Sequence, residues 1–154
     1  MKSEDITLMP RRMTKNSCGY DFYAPETIEM APGEWYAIDT GVRFDGSEHP
    51  RFDGAVMKDW FMMIVPRSSY GMKYGLRIKN TVGIIDADYR DTIKATISVD
   101  VPFTLEKGQR FMQGIIVPFG KFCPEIDPVD TRDGGIGSTD KPKNIKPIED
   151  YDCL

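Results

Sequence analysis

The sequence predicts an all-β barrel or sandwich, from the spacing of its turn residues and from the pattern inside the two long gaps they leave. Fourteen glycines and eleven prolines are spread over nearly the whole 154-residue chain, and only two gaps between them exceed ten residues. The longer gap, 84–101, ends in Thr92-Ile93-Lys94-Ala95-Thr96-Ile97-Ser98-Val99-Asp100-Val101, where Ile93, Ala95, Ile97, Val99 and Val101 alternate with polar residues. A period of two buries one face and wets the other, which is strand geometry. The second gap, 55–65, ends in Trp60-Phe61-Met62-Met63-Ile64-Val65, an apolar run suited to a strand buried on both faces. No window holds apolar residues at helical spacing for three turns without a glycine or proline inside it.

Further strands are expected at 20–23, 34–42, 76–80 and 111–118, with a tight turn at Ala31-Pro32-Gly33-Glu34 whose centre carries the proline and the glycine. After Pro118 the prolines and glycines leave no room for another long strand. The chain therefore divides into a β domain, 1–127, and an extended Gly/Pro-rich C-terminal arm, 128–154.

Composition narrows the function classes. The longest apolar run is six residues, against the ~20 that a membrane helix needs, and Met1-Lys2-Ser3-Glu4-Asp5 lacks the apolar core of a signal peptide. Three cysteines, Cys18, Cys123 and Cys153, are odd in number and without Cys-x-x-Cys, so neither a disulfide framework nor a zinc site is expected. The expected setting is cytoplasmic. A net charge of −4 with interleaved signs gives no positive field for nucleic acid. His49, the single histidine, sits in a polar loop, so acid–base chemistry here points to carboxylates.

Four segments could carry chemistry, and each also has an ordinary reading. Pro66-Arg67-Ser68-Ser69-Tyr70-Gly71 offers a cation, two hydroxyls and backbone amides at a strand end, which suits an anion and equally suits a polar turn. Asn80-Thr81-Val82-Gly83-Ile84-Ile85-Asp86-Ala87-Asp88-Tyr89 places a carboxylate straight after two isoleucines, as at the rim of an apolar pocket or in a hairpin. Gly108-Gln109-Arg110-Phe111-Met112-Gln113 opens a strand, with Arg110 and Gln113 readable as surface residues. Arg132-Asp133-Gly134-Gly135-Ile136-Gly137-Ser138-Thr139 lets backbone amides approach phosphate oxygens, or is a linker. It is not a Walker loop, because Gly-x4-Gly-Lys-[Ser/Thr] is absent.

Together with Ser17-Cys18-Gly19-Tyr20-Asp21-Phe22-Tyr23-Ala24, these segments resemble, in order and spacing, the five motifs of the homotrimeric deoxyuridine triphosphatase (dUTPase) family, from about Ser17 to Thr139. The resemblance implies a jelly-roll-like β-barrel that forms a homotrimer, the arm of one chain closing over a site formed by the other two. It implies hydrolysis of dUTP to dUMP and pyrophosphate, which clears dUTP from the nucleotide pool and supplies a precursor of dTMP. Asp86 would activate the attacking water, and Mg2+ held mainly by the phosphates would be reached by Asp21 through metal-bound water. Arg67, Ser68, Ser69 and Gln113 would contact phosphates, and Arg132, Ile136, Gly137, Ser138 and Thr139 would bind substrate from the arm. Asn80 and the backbone around Gly83, Ile84 and Ile85 would read uracil in a hairpin, with Tyr89 packed flat on the sugar.

Two positions depart from the family pattern. Ile136 stands where the arm usually carries an aromatic ring, and Asp91 stands where a glycine is usual. Asp91 could raise the Asp86 pKa as a like charge or simply point to solvent. Two other functions compete. A dCTP deaminase would need a glutamate base, yet no glutamate lies between Glu48 and Glu106. A nucleotide-sensing protein of the phage regulatory type, with a regulatory protein partner, would use the insertion-like stretch 45–59.

Overall fold

Strands dominate, as the spacing of glycines and prolines predicts. A computed structural model of the chain describes residues 1–3, 5–44, 50–52, 55–57 and 59–121. The order is β1 (Lys2–Ser3), β2 (Gly19–Tyr23), β3 (Ile28–Met30), β4 (Tyr36–Asp39), β5 (Val42–Arg43), β6 (Arg51–Phe52), β7 (Ala55–Val56), β8 (Trp60–Pro66), α1 (Ser68–Tyr74), β9 (Arg77–Ile78), β10 (Gly83–Asp86), β11 (Lys94–Ser98), β12 (Phe103–Leu105) and β13 (Arg110–Pro118). The main sheet runs β10-β8-β13-β2, a second runs β4-β11-β9, and β1-β5, β12-β3 and β6-β7 form two-stranded pairs. Every named ladder is antiparallel.

The core lies between the two larger sheets. Phe22, Met62, Ile64, Phe111 and Met112 come from the first, and Ile38, Ile78, Ala95 and Ile97 from the second. Alternation works as read in β11: Ile93, Ala95, Ile97 and Val99 are buried, although Val101, beyond the strand, is 44% exposed. The expected turn at 31–34 forms too, with Gly33 at φ +83° and the Glu34 amide donating to the Ala31 carbonyl.

Four expectations are corrected. The stretch 34–42 is two strands, because Gly41 at φ +67° breaks it between β4 and β5. Strand β8 buries Trp60, Met62 and Ile64 but only half-covers Phe61, Met63 and Val65. Among the described residues, no layer closes its second face fully. The Pro66–Gly71 turn is instead the start of α1, a helix too short for three turns of periodicity, ended by Gly75 at φ +64°. The Asn80–Tyr89 hairpin is an arch, since β9 pairs β11 while β10 pairs β8. Thr81, at φ +66°, turns the chain between those two sheets.

The C-terminal arm, with Arg132, Ile136, Gly137, Ser138 and Thr139, lies outside the described residues, as do His49, Cys123 and Cys153. So does much of the insertion-like stretch, of which β6 and β7 are described. Among the described residues no helix is long and apolar enough to cross a membrane.

Candidate functional site

The strongest polar cluster forms around Asp21, in the middle of β2. Asp21 is 3% exposed, and the groups around its carboxylate are donors and cations that suit an anion. Arg110 Nη1 donates to Oδ2 at 2.9 Å, and Gln113 Nε2 donates to Oδ1 at 2.9 Å. Arg67 Nε stands 3.4 Å from Oδ1. A carboxylate buried without partners would be costly, and two guanidiniums with an amide remove that cost. Three segments that are far apart in sequence thus meet on one carboxylate.

Strand register explains why they meet. Residues opposite each other in an antiparallel pair share a face, and Gln113 lies opposite both Asp21 on β2 and Val65 on β8. Arg67 follows β8 directly. Its amide donates to the Phe111 carbonyl, its Nη1 donates to the Arg110 carbonyl at 3.1 Å, and its guanidinium lies 5.7 Å from the Tyr70 ring centre. Ser68 and Ser69 begin α1 with exposed side chains.

Arg110 reaches the cluster through a β-bulge. Plain alternation would set Arg110 on the same face as Met112, inside the core. The register between β13 and β2 instead shifts between Arg110 and Met112, so that Arg110 is opposite Tyr23 and Met112 opposite Phe22. The extra residue puts Phe111 and Met112 both inward, each fully buried, and swings Arg110 out beside Asp21. Treating Arg110 as a surface residue missed this, because a bulge changes parity without leaving a mark in the alternation itself.

Asp86 sits elsewhere on the same sheet face. It ends β10, an edge strand, opposite Phe61, and is exposed. Ile84, two residues earlier and on the same face, is 54% exposed, while Ile85 points inward and is buried. From Asp86 to Asp21 the path crosses three strand spacings of about 4.8 Å and four residues of about 3.3 Å, about 20 Å in all. Between them lie Phe61, Met63 and Val65 of β8 with Ile115 and Val117 of β13, all half-covered. One chain therefore carries the cation cluster and the exposed carboxylate at opposite corners of an apolar sheet face.

The remaining predicted residues divide. Asn80 is exposed on the arch, and Gly83 lies so close to β8 that a Cβ there would be 3.0 Å from the Ile64 Cβ. Tyr89 is 3% exposed and packs in the core, with its hydroxyl donating to the Thr92 carbonyl at 3.1 Å. Asp91 takes the Lys94 ammonium at 2.8 Å and the Thr92 amide at 2.7 Å. The Lys94 hydrogen bond holds the Asp91 carboxyl below its ordinary range, and the same contact raises Lys94. The charge at 91 is thus balanced by a cation of its own.

The chain is similar to known proteins in sequence and in fold. A family model described as dUTPase matches residues 6–140. The deoxyuridine 5'-triphosphate nucleotidohydrolase of Nautilia profundicola is 31% identical over 146 residues, covering 91% of this chain and 96% of that protein. Its counterpart in Lactococcus lactis subsp. lactis is 33% identical over 140 residues, covering 85% and 87%. Among solved structures, the dUTPase from Streptococcus mutans is similar at TM-score 0.62 and 30% identity, over 78% of this chain and 92% of that one. The dUTPase of phage phi11 of S. aureus is similar at TM-score 0.59 over 84% and 94%, and at 22% identity it speaks for the fold alone.

Proposed function

The chain belongs to the dUTPase family, and on that premise we propose that it is a dUTP diphosphatase whose sites are completed by other copies of the same chain. The fold is jelly-roll-like, as in its structural neighbours. The observation that carries the reading is the distance between the two chemical halves. A cation cluster at Asp21, Arg67, Arg110 and Gln113 stands about 20 Å from Asp86, beyond the reach of one triphosphate lying against one chain. The half-covered apolar face between them supports self-association, here as a homotrimer, since burying such a surface is favourable at roughly 25 cal/mol per Å2.

In the assembled site Asp86 accepts a proton from a water whose oxygen attacks the α-phosphorus. The new P–O bond forms as the bond from that phosphorus to the β-phosphate oxygen breaks, releasing dUMP and pyrophosphate. Exposure of Asp86 gives it the access to water that a base needs. Arg67, with Ser68, Ser69 and Gln113, binds the phosphates from a second chain, and Arg132, Ser138 and Thr139 clamp the terminal ones from the arm of a third. Asn80 and the backbone at Gly83, Ile84 and Ile85 read the uracil edge, and Ile136 with Gly137 covers the base. Tyr89, fixed by its core packing and its hydroxyl bond, presents only a sliver of ring to the sugar, which suits exclusion of a 2′-hydroxyl.

The donor set fits a magnesium ion held by the phosphates rather than by a protein cage. Among the described residues no three His, Cys, Asp or Glu side chains converge. Asp21 spends three of its roughly four lone-pair directions on Arg67, Arg110 and Gln113, which leaves one for a metal-bound water. When bound, the ion would neutralise phosphate charge and align the triphosphate.

The test is pyrophosphate release with magnesium from dUTP, dCTP, dTTP and UTP in parallel, alongside Asp86→Asn. Release from dUTP alone, lost in the variant, is the expected result. Ammonia released from dCTP without pyrophosphate would favour the deaminase, and silence on all four with no ammonia from dCTP would favour the sensing protein.

A further inference from the structure

Arg110 touches Arg67 in two ways. Its carbonyl accepts directly from Arg67 Nη1 at 3.1 Å, and its guanidinium holds Asp21, whose other oxygen faces Arg67 Nε and Gln113 Nε2. Because Nη1 of Arg110 is committed to a carboxylate that is only 4% exposed, its interaction is made inside the protein. The bulge that turns Arg110 outward costs β13 its regular ladder with β2 at that point, and Phe111 and Met112 fill the core in compensation.

We propose that Arg110 is a positioning residue of the phosphate site, acting through Asp21. With Oδ2 held by Arg110, the carboxylate plane is fixed and Oδ1 is shared between Gln113 and Arg67. Asp21 is then balanced without Arg67 closing onto it, which explains the long 3.4 Å stance of Arg67 Nε beside the 2.9 Å bonds of the other two. Removing the Arg110 guanidinium leaves Asp21 with one cation. Arg67 closes on it, and the group that should meet a phosphate is drawn back into the protein. The inference rests on the dUTP reading, in which Arg67 and Gln113 contact phosphate.

The test is a double-mutant cycle of Arg110→Met and Asp21→Asn, read by calorimetric binding of the non-hydrolysable α,β-imido-dUTP and by steady-state kinetics. Arg110→Met is expected to weaken analogue binding and raise KM by about 10- to 100-fold, with kcat changed by less than about threefold. In the Asp21→Asn background the same replacement should cost less than about threefold, because the link it acts through is gone. Arg110→Lys, which keeps the charge but not the planar fork, should lose less than Arg110→Met. Should Arg110→Met not fold, Arg110→Lys carries the same comparison, and its loss must shrink in the Asp21→Asn background.

Losses that add across the cycle, unchanged binding in Arg110→Met, or a fall in kcat at constant KM would each overturn the role. Wild type that binds the analogue while the losses add overturns the positioning alone. Wild type that fails to bind it overturns the dUTP reading and the role together.

Discussion

Gly114→Ala tests how tightly the core dictates the placement of Gln113. A Cβ at 114 would fall onto Met62 Sδ and lie 2.8 Å from Phe22 Cε2. Both neighbours are fully buried, so the room has to come from the core itself. Overpacking of this kind costs about 1–3 kcal/mol. Replacing a strand-interior glycine returns about 0.5–1 kcal/mol through the unfolded chain. The net is a loss centred on about 1 kcal/mol, with about 2.5 kcal/mol as its upper end, or roughly 2–4 °C in Tm at the centre for a chain of this length. Relief by moving β13 would also carry Gln113 away from Asp21, so KM should rise with the fall in Tm. Melting must be compared at one protein concentration, because the proposed self-association would make Tm concentration-dependent. Shortening the obstructing side chain should help: Gly114→Ala with Met62→Val should lose less than the sum of the two single changes. An unchanged or raised Tm for Gly114→Ala, or a strictly additive pair, would refute the packing reasoning.

Four other outcomes are expected. Asp86→Asn should lower kcat by about 10²- to 10⁴-fold, with α,β-imido-dUTP binding retained in calorimetry. Ile136→Phe should tighten dUTP affinity by about tenfold through base stacking, and equal affinities would make the ring irrelevant in this arm. Chelation with EDTA should stop pyrophosphate release, and added magnesium should restore it; undiminished release in the chelator would remove magnesium from the scheme. The Asp91–Lys94 pair gives a pH signature. Asp91, held below its ordinary 3.8, contributes stability that is present above that value and lost as pH falls through its folded pKa. Lys94, raised above 10.5, contributes stability that is present below that value and lost as pH rises through its folded pKa. The Tm difference between wild type and Asp91→Asn should therefore stay flat from about pH 5 to 9 and shrink at both extremes. A step within the neutral range would show that position 91 couples to some other group.

Legibility in the sequence followed the physics of each element. Strand β11 could be read because its alternation is complete, and β8 because six consecutive apolar residues have few other uses. An apolar run does not tell how many layers cover it, and among the described residues one face of β8 is only half-covered. The helix Ser68–Tyr74 had no signal to find, since it is too short for an amphipathic stripe and contains Gly71. Asp21, Arg67 and Gln113 were singled out by resemblance, and the register then brought them within hydrogen-bonding reach. Arg110 escaped because its position depends on a single unpaired residue in β13, a property of two strands together that neither displays alone. The separation of Asp86 from the cluster was equally hidden, because motif order along a chain does not tell at which corner of a sheet each motif falls.

In the proposed assembly, that separation would give the protein an unusual genetics. Two chains, each disabled at a different corner of the sheet, carry complementary defects. Mixed after unfolding and refolded together, Asp86→Asn and Arg67→Ala chains should assemble some sites that draw an intact carboxylate from one parent and an intact guanidinium from the other. With equal amounts and random assembly, about a quarter of sites would be whole, so two inactive preparations should yield an active one. An organism carrying both defective copies would keep its enzyme, whereas neither copy alone would suffice.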